Sequence, residues 1–416
     1  MLDIAASLLV LTALLSYVNQ RWLKLPTTIG VMATSLVLSL ALVALDAVGI
    51  AGGLHAREQA LIQSIDFSEL LMQGMLSLLL FAGALHVDVG ALHDYRWQVG
   101  VLAFVGTAVS TLLVGGALWL VIGFIGLPVP LLECLLFGAL ISPTDPIAVI
   151  GILKSAGAPR NLEVVIAGES LFNDGVGVVI FTLLLGMALD GGTPTPGHAG
   201  LLLSREAGGG LLFGWLLGRG THALLRNLAN DQVEVLLTLA AVVGGYALAN
   251  HLHVSGPLAM VVAGLIVGSR GRAGRPADAP HRHADQFWEL LDELLNAVLF
   301  VLVGMEVITI HFPLSAGPAL AAGVAAIAIT LAARWFTVGL PVALAQRAFR
   351  LPARAGVVLT WGGLRGGISI ALALSIPAGP WRETLIALTY CVVAFSILVQ
   401  GLTFARLVRA TLRTGG

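Results

Sequence analysis

The amino-acid sequence predicts an all-α polytopic membrane protein. Of the 416 residues, 57% are hydrophobic and 11% are charged, whereas soluble domains carry roughly 25% charged residues. Apolar stretches of about 18 or more residues recur along the whole chain, and each is long enough to cross the hydrocarbon core of a bilayer as a helix. The composition therefore excludes a soluble globular domain and makes the lipid bilayer, rather than nucleic acid, the expected surroundings.

About 13 transmembrane helices can be placed in order along the chain. They lie at roughly 2–22, 28–50, 67–87, 98–126, 130–153, 161–189, 202–221, 234–252, 254–270, 288–309, 316–346, 354–377 and 382–406. The longest polar connections are 51–66, 190–201 and 270–287, and none is long enough to form a second folded domain. We therefore expect a single transmembrane domain over residues 1–416, with no sizeable cytoplasmic domain.

The basic residues predict the orientation in the membrane. Most of the 22 Lys and Arg residues fall in every second loop, and these loops all lie on the same side of the membrane. Loops rich in basic residues face the cytoplasm. The first apolar stretch begins with Asp3 and is followed by Arg21 and Lys24, not by a small-residue cleavage site, which indicates a retained helix. We expect a multi-pass protein of the bacterial inner (plasma) membrane, with its N-terminus outside and its C-terminus in the cytoplasm.

Two predicted spans are interrupted by helix-breaking residues. The fifth span contains SPTDP at 142–146, and the twelfth contains WGGLRGG at 361–367. The two spans are seven positions apart in the count, so they cross the bilayer in opposite directions. Interrupted spans at matching places of two inverted halves indicate the substrate site of a secondary transporter. The expected repeats are about 1–189 and 234–410, joined by a linker helix at about 202–221.

The first break offers oxygen ligands for a cation. Pro146 has no N–H to donate and disfavours the helical conformation of the residue before it, so Asp145 and Thr144 are expected on locally extended backbone. Such backbone occurs at membrane depth only inside protein or beside a water-filled cavity. Carbonyl, hydroxyl and carboxylate oxygens are hard donors suited to an alkali cation. The alternative is a simple proline kink, in which Thr144 bonds back to the previous turn.

The sixth predicted span carries two further acids. In AGESLFNDGVGVVIF, residues 167–181, Ser170 and Asp174 share one helical face, while Glu169 and Asn173 share the neighbouring face. Both acids are therefore expected to face the fifth span. Glu169 could simply pair with an arginine, but Asp174 has only an uncharged Asn beside it, which makes Asp174 the stronger candidate for ion binding.

Two arginines, Arg334 and Arg365, also lie within predicted spans. Glycines that let a helix unwind and neighbouring helices approach flank the second of these, at Gly362, Gly363, Gly366 and Gly367. We expect Arg365 to compensate the opened helix ends and to hold Glu169 in a bidentate ion pair, with Arg334 in a structural role of the same kind. The acids outnumber these arginines, and a buried carboxylate without positive charge holds either a proton or a cation. Competition between the two for one site is the chemistry of exchange.

Long motifs in these regions resemble those of a known family. They are GALISPTDPIAV (138–149), GESLFNDGVGVVIF (168–181), VSGPLAMVVAGLIVG (254–268), FWELLDELLNAVLFVLVGMEV (287–307) and WGGLRGGISIALAL (361–374). Their order and combined length are similar to the monovalent cation/proton antiporters of the NhaP/NHE type, the CPA1 branch. The resemblance implies 13 helices in inverted repeats, a homodimer, an elevator-type movement and Na⁺ (or Li⁺) exchange for H⁺. It implies neither an enzyme nor a cofactor.

The resemblance also implies roles for individual residues. Asp174 would bind the ion and the proton in turn. The implied Na⁺ ligands are Asp174, Asp145, Thr144 and Ser170. Glu169 and Arg365 match the family's core ion pair. Asn173, counted with the ion- and proton-binding residues, matches an Asn that electrogenic relatives replace with Asp, and because Asn does not titrate, one proton per cation and electroneutral exchange are expected.

Three other functions remain as alternatives at this stage. The first is a K⁺/H⁺ antiporter of the same fold, since the sequence does not set the size of the ion site. The second is an intramembrane aspartyl protease in which Asp145 and Asp174 share a proton, although neither acid lies in the expected motif. The third is a channel, which would need a continuous polar pore rather than polar residues clustered at one depth.

Overall fold

The computed structural model describes most of the chain. The described residues are 2–47, 70–190, 200–202, 204–226, 228, 230–272, 283–306, 316–352 and 354–413. Within them all regular secondary structure is helical. The predicted loop at 51–66 lies outside the described residues, as do most of 190–201 and the central part of 270–287.

The first half of the chain contains helices that differ widely in length. They are α1 (Leu2–Val18), α2 (Thr27–Ala47), α3 (Leu76–His86), α4 (Thr107–Phe124), α5 (Leu131–Ile141), α6 (Ile147–Ser155) and α7 (Arg160–Asp190). Short helical segments connect or extend them at Asn19–Leu23, Leu70–Met75, Val89–Asp94, Arg96–Gly100 and Val101–Gly106.

The second half of the chain also consists of helices of different lengths. Its longer helices are α8 (Gly209–Leu225), α9 (Asp231–His251), α10 (Gly256–Arg272), α11 (His283–Glu306), α12 (Ala316–Arg334), α13 (Ala355–Trp361), α14 (Gly367–Leu374), α15 (Arg382–Phe395) and α16 (Leu402–Arg413). Shorter segments lie at Ser204–Gly208, Trp335–Gly339, Leu340–Leu344, Gln346–Phe349 and Ser396–Gly401.

The length and hydropathy of these helices fit a multi-pass membrane protein. Continuous helical stretches able to cross a bilayer are found at Arg96–Phe124, Arg160–Leu189, Asp231–His251, Gly317–Leu344 and Arg382–Thr411. Ala6–Leu23 and Thr27–Leu42 meet the same test as a pair, with a bend of 108° between them. Several other predicted spans contain shorter apolar helices, because the chain unwinds or turns within them.

The two spans with helix-breaking residues are interrupted in the structure. Residues 142–146 separate α5 from α6, and residues 362–366 separate α13 from α14. The backbone N–H of Asp145 in the first break donates to the carbonyl of Leu364 in the second, at 2.8 Å. Each break therefore supplies a hydrogen-bond partner to a backbone group of the other. Backbone that is not helical needs such partners at membrane depth, because lipid offers none.

Small residues bring the helices beside this region into backbone contact. On α8, Gly210, Gly214 and Gly218 recur every four residues and face α10, and a Cβ added to Gly214 would lie 2.7 Å from the Cα of Ala259. On the other side of α10, a Cβ added to Gly264 would lie 2.7 Å from the carbonyl oxygen of Phe81 in α3. Close approach of this kind is the main source of helix association in lipid, so α3, α8 and α10 form a tightly packed group.

Candidate ion-binding site

A small cavity lies where the two helix breaks meet. Its volume is about 90 Å³, and its wall contains three carboxylates, those of Asp145, Asp174 and Asp292. Thr144 and Asn296 add a hydroxyl and an amide. Among the described residues that line the cavity there is no lysine, arginine or histidine. The cavity wall is therefore mostly apolar but carries a cluster of acidic and other polar side chains, which suits a cation or a proton.

The backbone of the first break holds the Asp145 carboxylate in place. Its Oδ1 accepts a hydrogen bond from the backbone N–H of Ile147 at 2.9 Å, which caps the start of α6. Its Oδ2 lies against Gly366, where an added Cβ would be 2.8 Å away. Both breaks thus determine the position of this carboxylate.

Asn173 of α7 holds the first break in place by hydrogen bonds to Thr144. Its Oδ1 accepts from the backbone N–H of Thr144 at 3.2 Å, and its Nδ2 donates to Thr144 Oγ1 at 2.8 Å and to Glu169 Oε1 at 2.9 Å. The hydroxyl of Ser170 also contacts Thr144 Oγ1, at 3.0 Å. Neither Asn173 nor Ser170 is among the residues of the cavity wall, so in this conformation they contact Thr144 from behind.

Asp174 differs from its neighbours on α7. Its side chain lines the cavity and the residue is only 7% exposed, yet its carboxylate makes no hydrogen bond to any described residue. It lies within electrostatic range of Asp145, Glu169 and Arg365. A buried charge without hydrogen bonds is costly, so this carboxylate favours a bound proton or cation.

The predicted ion pair between Glu169 and Arg365 is wrong. Glu169 pairs with Arg334 instead, whose two terminal nitrogens donate to Oε1 at 2.6 Å and to Oε2 at 2.7 Å. Both residues are buried, with 1% and 6% of their surfaces exposed. Arg334 ends α12 beside Gly363, whose missing side chain leaves room for the guanidinium. The bidentate geometry is the strong form of this contact.

Arg365 binds backbone rather than a carboxylate. Its Nη1 donates to the carbonyl oxygens of Ser142 and Pro143, which the end of α5 leaves without helical partners, and its backbone N–H donates to the hydroxyl of Ser396 at 2.8 Å. The expectation that Arg365 compensates the opened helix is therefore confirmed. Both carbonyls accept from the same nitrogen, Nη1, and Glu169 takes its bidentate partner from Arg334 instead.

Comparison with known proteins shows the family. Residues 9–410 match the family described as "Sodium/hydrogen exchanger, transmembrane". The chain belongs to this family. It is 51% identical to the Na⁺/H⁺ antiporter NhaP of Pseudomonas aeruginosa over 98% of this chain and 96% of that protein. It is also 33% identical to the Na⁺/H⁺ antiporter NhaH of Halobacillus dabanensis, over 94% and 93% of the two chains.

A solved structure supports the fold of this exchanger. The sodium proton antiporter MjNhaP1 of Methanocaldococcus jannaschii superposes with a TM-score of 0.72 at 20% identity, covering 98% of both chains. Family membership makes the protein a transporter and not an enzyme. The aspartyl protease alternative is thereby wrong, and Asp145 and Asp174 belong to an ion transporter.

Three polar residues of the exchanger's cavity were missed in the sequence. Asp292 and Asn296 lie one turn apart on α11, and Ser369 lies on α14. The Ser369 hydroxyl is buried and has no hydrogen-bond partner among the described residues. An acid followed four residues later by Asn, at the edge of a predicted span, was the available signal for Asp292, because the two share a helical face.

Gly366 gives a direct test of this geometry in the exchanger. In Gly366→Ala the new methyl group would lie 2.8 Å from Oδ2 of Asp145 and 2.9 Å from its Cβ, so the carboxylate must move. Overpacking typically costs about 1–3 kcal/mol, and we expect the KM for the transported cation to rise by about tenfold. Gly151→Ala on α6 is the matched control, since nothing lies within 4 Å of its added Cβ. Equal KM values for the two variants would contradict the assignment of Asp145 to the ion site.

Proposed function

We propose that this exchanger carries Na⁺ or Li⁺ in one direction and H⁺ in the other, with the two competing for Asp174. The observation that supports this proposal is a buried carboxylate that makes no hydrogen bond to the described residues. It lines a cavity that holds two further carboxylates and, among its described lining residues, no basic side chain. When a proton occupies Asp174, its charge is neutralised and the cation is not needed. When the proton leaves, the carboxylate supplies the negative charge that attracts the cation.

The proposed cation ligands come from both α7 and the first break. They are Asp174, Asp145 and Thr144, which line the cavity, and Ser170, whose hydroxyl lies 3.0 Å from Thr144 Oγ1 and would have to turn toward the ion. Carboxylate and hydroxyl oxygens are hard donors that match an alkali cation. Asn173 orients Thr144 through two hydrogen bonds, so we assign it a positioning role next to the ion.

We also propose that exchange is electroneutral, with one H⁺ for each cation. Asn173 has no titratable group, and Glu169 is held by Arg334 in a buried bidentate pair. Asp174, whose carboxylate makes no hydrogen bond to the described residues, is the group that we propose releases a proton when the cation binds. Loading either species leaves the same net charge in the moving part of the protein.

Alternating access is proposed to follow an elevator-type movement of a six-helix core. The whole fold is proposed to have 13 helices arranged as inverted repeats, with the linker helix at about 202–221. The two breaks are hydrogen-bonded to each other, and Asn173 bonds the first break to α7. The ion site is thus held within one group of helices, which can move as a unit against the group formed by α3, α8 and α10. The proposed assembly is a homodimer with N-termini outside and C-termini in the cytoplasm.

The second candidate function is a K⁺/H⁺ antiporter of the same fold, because the same oxygen donors accept K⁺. The relatives named Na⁺/H⁺ antiporters support Na⁺. Purified protein in liposomes with an imposed pH gradient separates the two when Na⁺, Li⁺, K⁺ or choline is added in turn. We expect Na⁺ and Li⁺ to dissipate the gradient, and K⁺ and choline to leave it intact.

The same liposomes test the stoichiometry. Exchange of one proton for one cation moves no net charge, so its rate should be the same with the membrane potential clamped at zero and with the potential left free. If K⁺ alone dissipates the gradient, the transported cation is K⁺ and not Na⁺ or Li⁺. A rate that responds to the clamp would contradict electroneutral exchange, and saturation of the rate with cation concentration distinguishes a carrier from a channel.

A further inference from the structure

Asp292 is a third carboxylate of the cavity. It lies within the motif at 287–307 but has no role in the proposed exchange cycle. It lies on α11, opposite the helix that carries Asp174, and its charge interacts with that of Asp145. Its exposure is intermediate, in contrast to the buried Asp174. Asp292 is thus more exposed than Asp174, as is Asp145.

The packing of α11 shows where Asp292 lies relative to the breaks. Leu299 on α11 packs against Gly367 at the start of α14, where an added Cβ would lie 2.5 Å from Leu299 Cγ. Asp292 precedes Leu299 by seven residues, which is about 10 Å along a helix with a rise of 1.5 Å per residue. Asp292 therefore lies on the part of the cavity wall that extends from the second break toward the start of α11.

Asn296 orients the Asp292 carboxylate and leaves one oxygen available. The Asn296 side chain is 4% exposed, and its Nδ2 donates to the Asp292 carbonyl oxygen at 2.8 Å and to Oδ1 at 3.1 Å. Asp292 Oδ2 makes no hydrogen bond to the described residues. Asn296 thus restrains the Asp292 carboxylate through one of its two oxygens.

A second observation points to a ligand in the same cavity. Asp174 is 93% buried and makes no hydrogen bond to the described residues, and the buried hydroxyl of Ser369 is also without a partner there. Buried polar groups are normally hydrogen-bonded. Two polar groups without a protein partner on one small cavity indicate that a cation or water completes them, and Asp292 lines the same cavity.

We propose that Asp292 is the residue that first binds the transported cation as it enters the cavity, and that it sets the apparent affinity for the cation from the side on which α11 begins. This inference rests on the proposed exchange at Asp174. The cation exchanges part of its hydration shell for the Asp292 carboxylate and then passes to Asp145 and Asp174. Asp292 contacts the ion before the exchange step, so it affects capture more than turnover.

The test is the kinetics of Asp292→Asn in liposomes at low ionic strength. Removing one unit charge within about 10 Å of the bound ion weakens capture by about fivefold, which should appear as a higher KM for Na⁺ with a nearly unchanged maximal rate. Adding about 0.3 M choline chloride should shrink the difference, because salt screens the interaction. Asp292→Glu retains the charge and should restore the wild-type KM, and Asp292→Ser repeats the test if Asp292→Asn does not fold.

Glu293→Gln is the matched control. Glu293 is the next residue on α11, but its side chain is exposed and is not among the cavity-lining residues. A KM that rises equally in both variants would show a general surface-charge effect and overturn the proposal. An unchanged KM in Asp292→Asn would also overturn it, as would a complete loss of exchange in a folded Asp292→Asn protein, since that result would place Asp292 among the central ligands.

A binding measurement separates this inference from the proposed function. The Na⁺ concentration that gives half of the maximal thermal stabilisation of detergent-solubilised protein should rise by about fivefold in Asp292→Asn. A wild-type protein that binds Na⁺ but does not exchange it would contradict the proposed function. The Na⁺ concentration for half-maximal stabilisation would still test the role of Asp292. Exchange by the wild type with no shift of the midpoint or the KM in the variant would contradict Asp292 alone.

Discussion

Replacing Asp174 by Asn abolishes cation-driven proton movement and leaves the protein folded. The substitution keeps the size of the side chain but removes the group that we propose to hold the proton and the cation in turn. Asp174 makes no hydrogen bond to the described residues, so no structural contact is lost and stability should not fall. The measurement is pH-gradient dissipation in liposomes beside thermal unfolding in detergent, with the rate expected to equal that of protein-free liposomes.

Glu163→Gln is the control for this substitution. Glu163 lies in the first turn of the same helix, α7, eleven residues before Asp174, which is about 16 Å along the helix. The substitution removes the same charge without touching the cavity, and exchange should continue at the wild-type rate. Wild-type exchange by Asp174→Asn would contradict the site assignment. A large loss of exchange in Glu163→Gln would show that the overall charge of α7 matters, rather than this one carboxylate.

The sequence was sufficient to locate the two breaks, because each depends on local chemistry. Pro146 cannot donate a hydrogen bond within a helix, and the glycines around Arg365 impose little restraint on the backbone. The structure interrupts the helices at 142–146 and at 362–366. The same local logic gave the adjacency of Glu169 and Asn173, which are four residues apart and hydrogen-bonded at 2.9 Å.

The choice of partner for Glu169 could not be made from the sequence. Arg334 and Arg365 both lie within apolar spans, and the choice between them depends on how α12 is rotated and on which carbonyls the end of α5 leaves open. The structure gives Arg334 to the carboxylate and Arg365 to the carbonyls of Ser142 and Pro143. A long-range packing arrangement, rather than residue type, decides between two chemically equivalent donors.

Asp292 was missed for a related reason. An acid near the end of a predicted span is usually assigned to the membrane interface, where a charge is inexpensive. Its place on the cavity wall depends on α11 packing against the second break, which local sequence does not encode. The clearest sign in the sequence that Asp292 is buried is Asn296, four residues later. Residues four apart face the same side of a helix, so the two polar side chains can bond to each other.

Replacing Arg334 by Met should destabilise the protein more than any surface ion-pair change. Glu169 would lose both bidentate hydrogen bonds and remain 1% exposed, with Asn173 as its remaining donor among the described residues. Breaking a buried pair by removing one partner costs about 3–5 kcal/mol. Arg160→Ala is the comparison, since Arg160 pairs with Asp88 while 76% of its side chain is exposed, and exposed pairs contribute about 0–1 kcal/mol.

The double variant Arg334→Met with Glu169→Gln separates the buried charge from the loss of packing. Gln keeps an acceptor for Asn173 but carries no charge, so most of the stability lost in Arg334→Met should return. The coupling between the two residues follows from the free energies of unfolding, in detergent, of the wild type, Arg334→Met, Glu169→Gln and the double variant. If Arg334→Met and the double variant are equally unstable, the guanidinium acts through packing against Gly363 and α13 rather than through the carboxylate. If Arg334→Met unfolds like the wild type, Glu169 is protonated or re-paired when Arg334 is absent, and the ion pair does not stabilise the core.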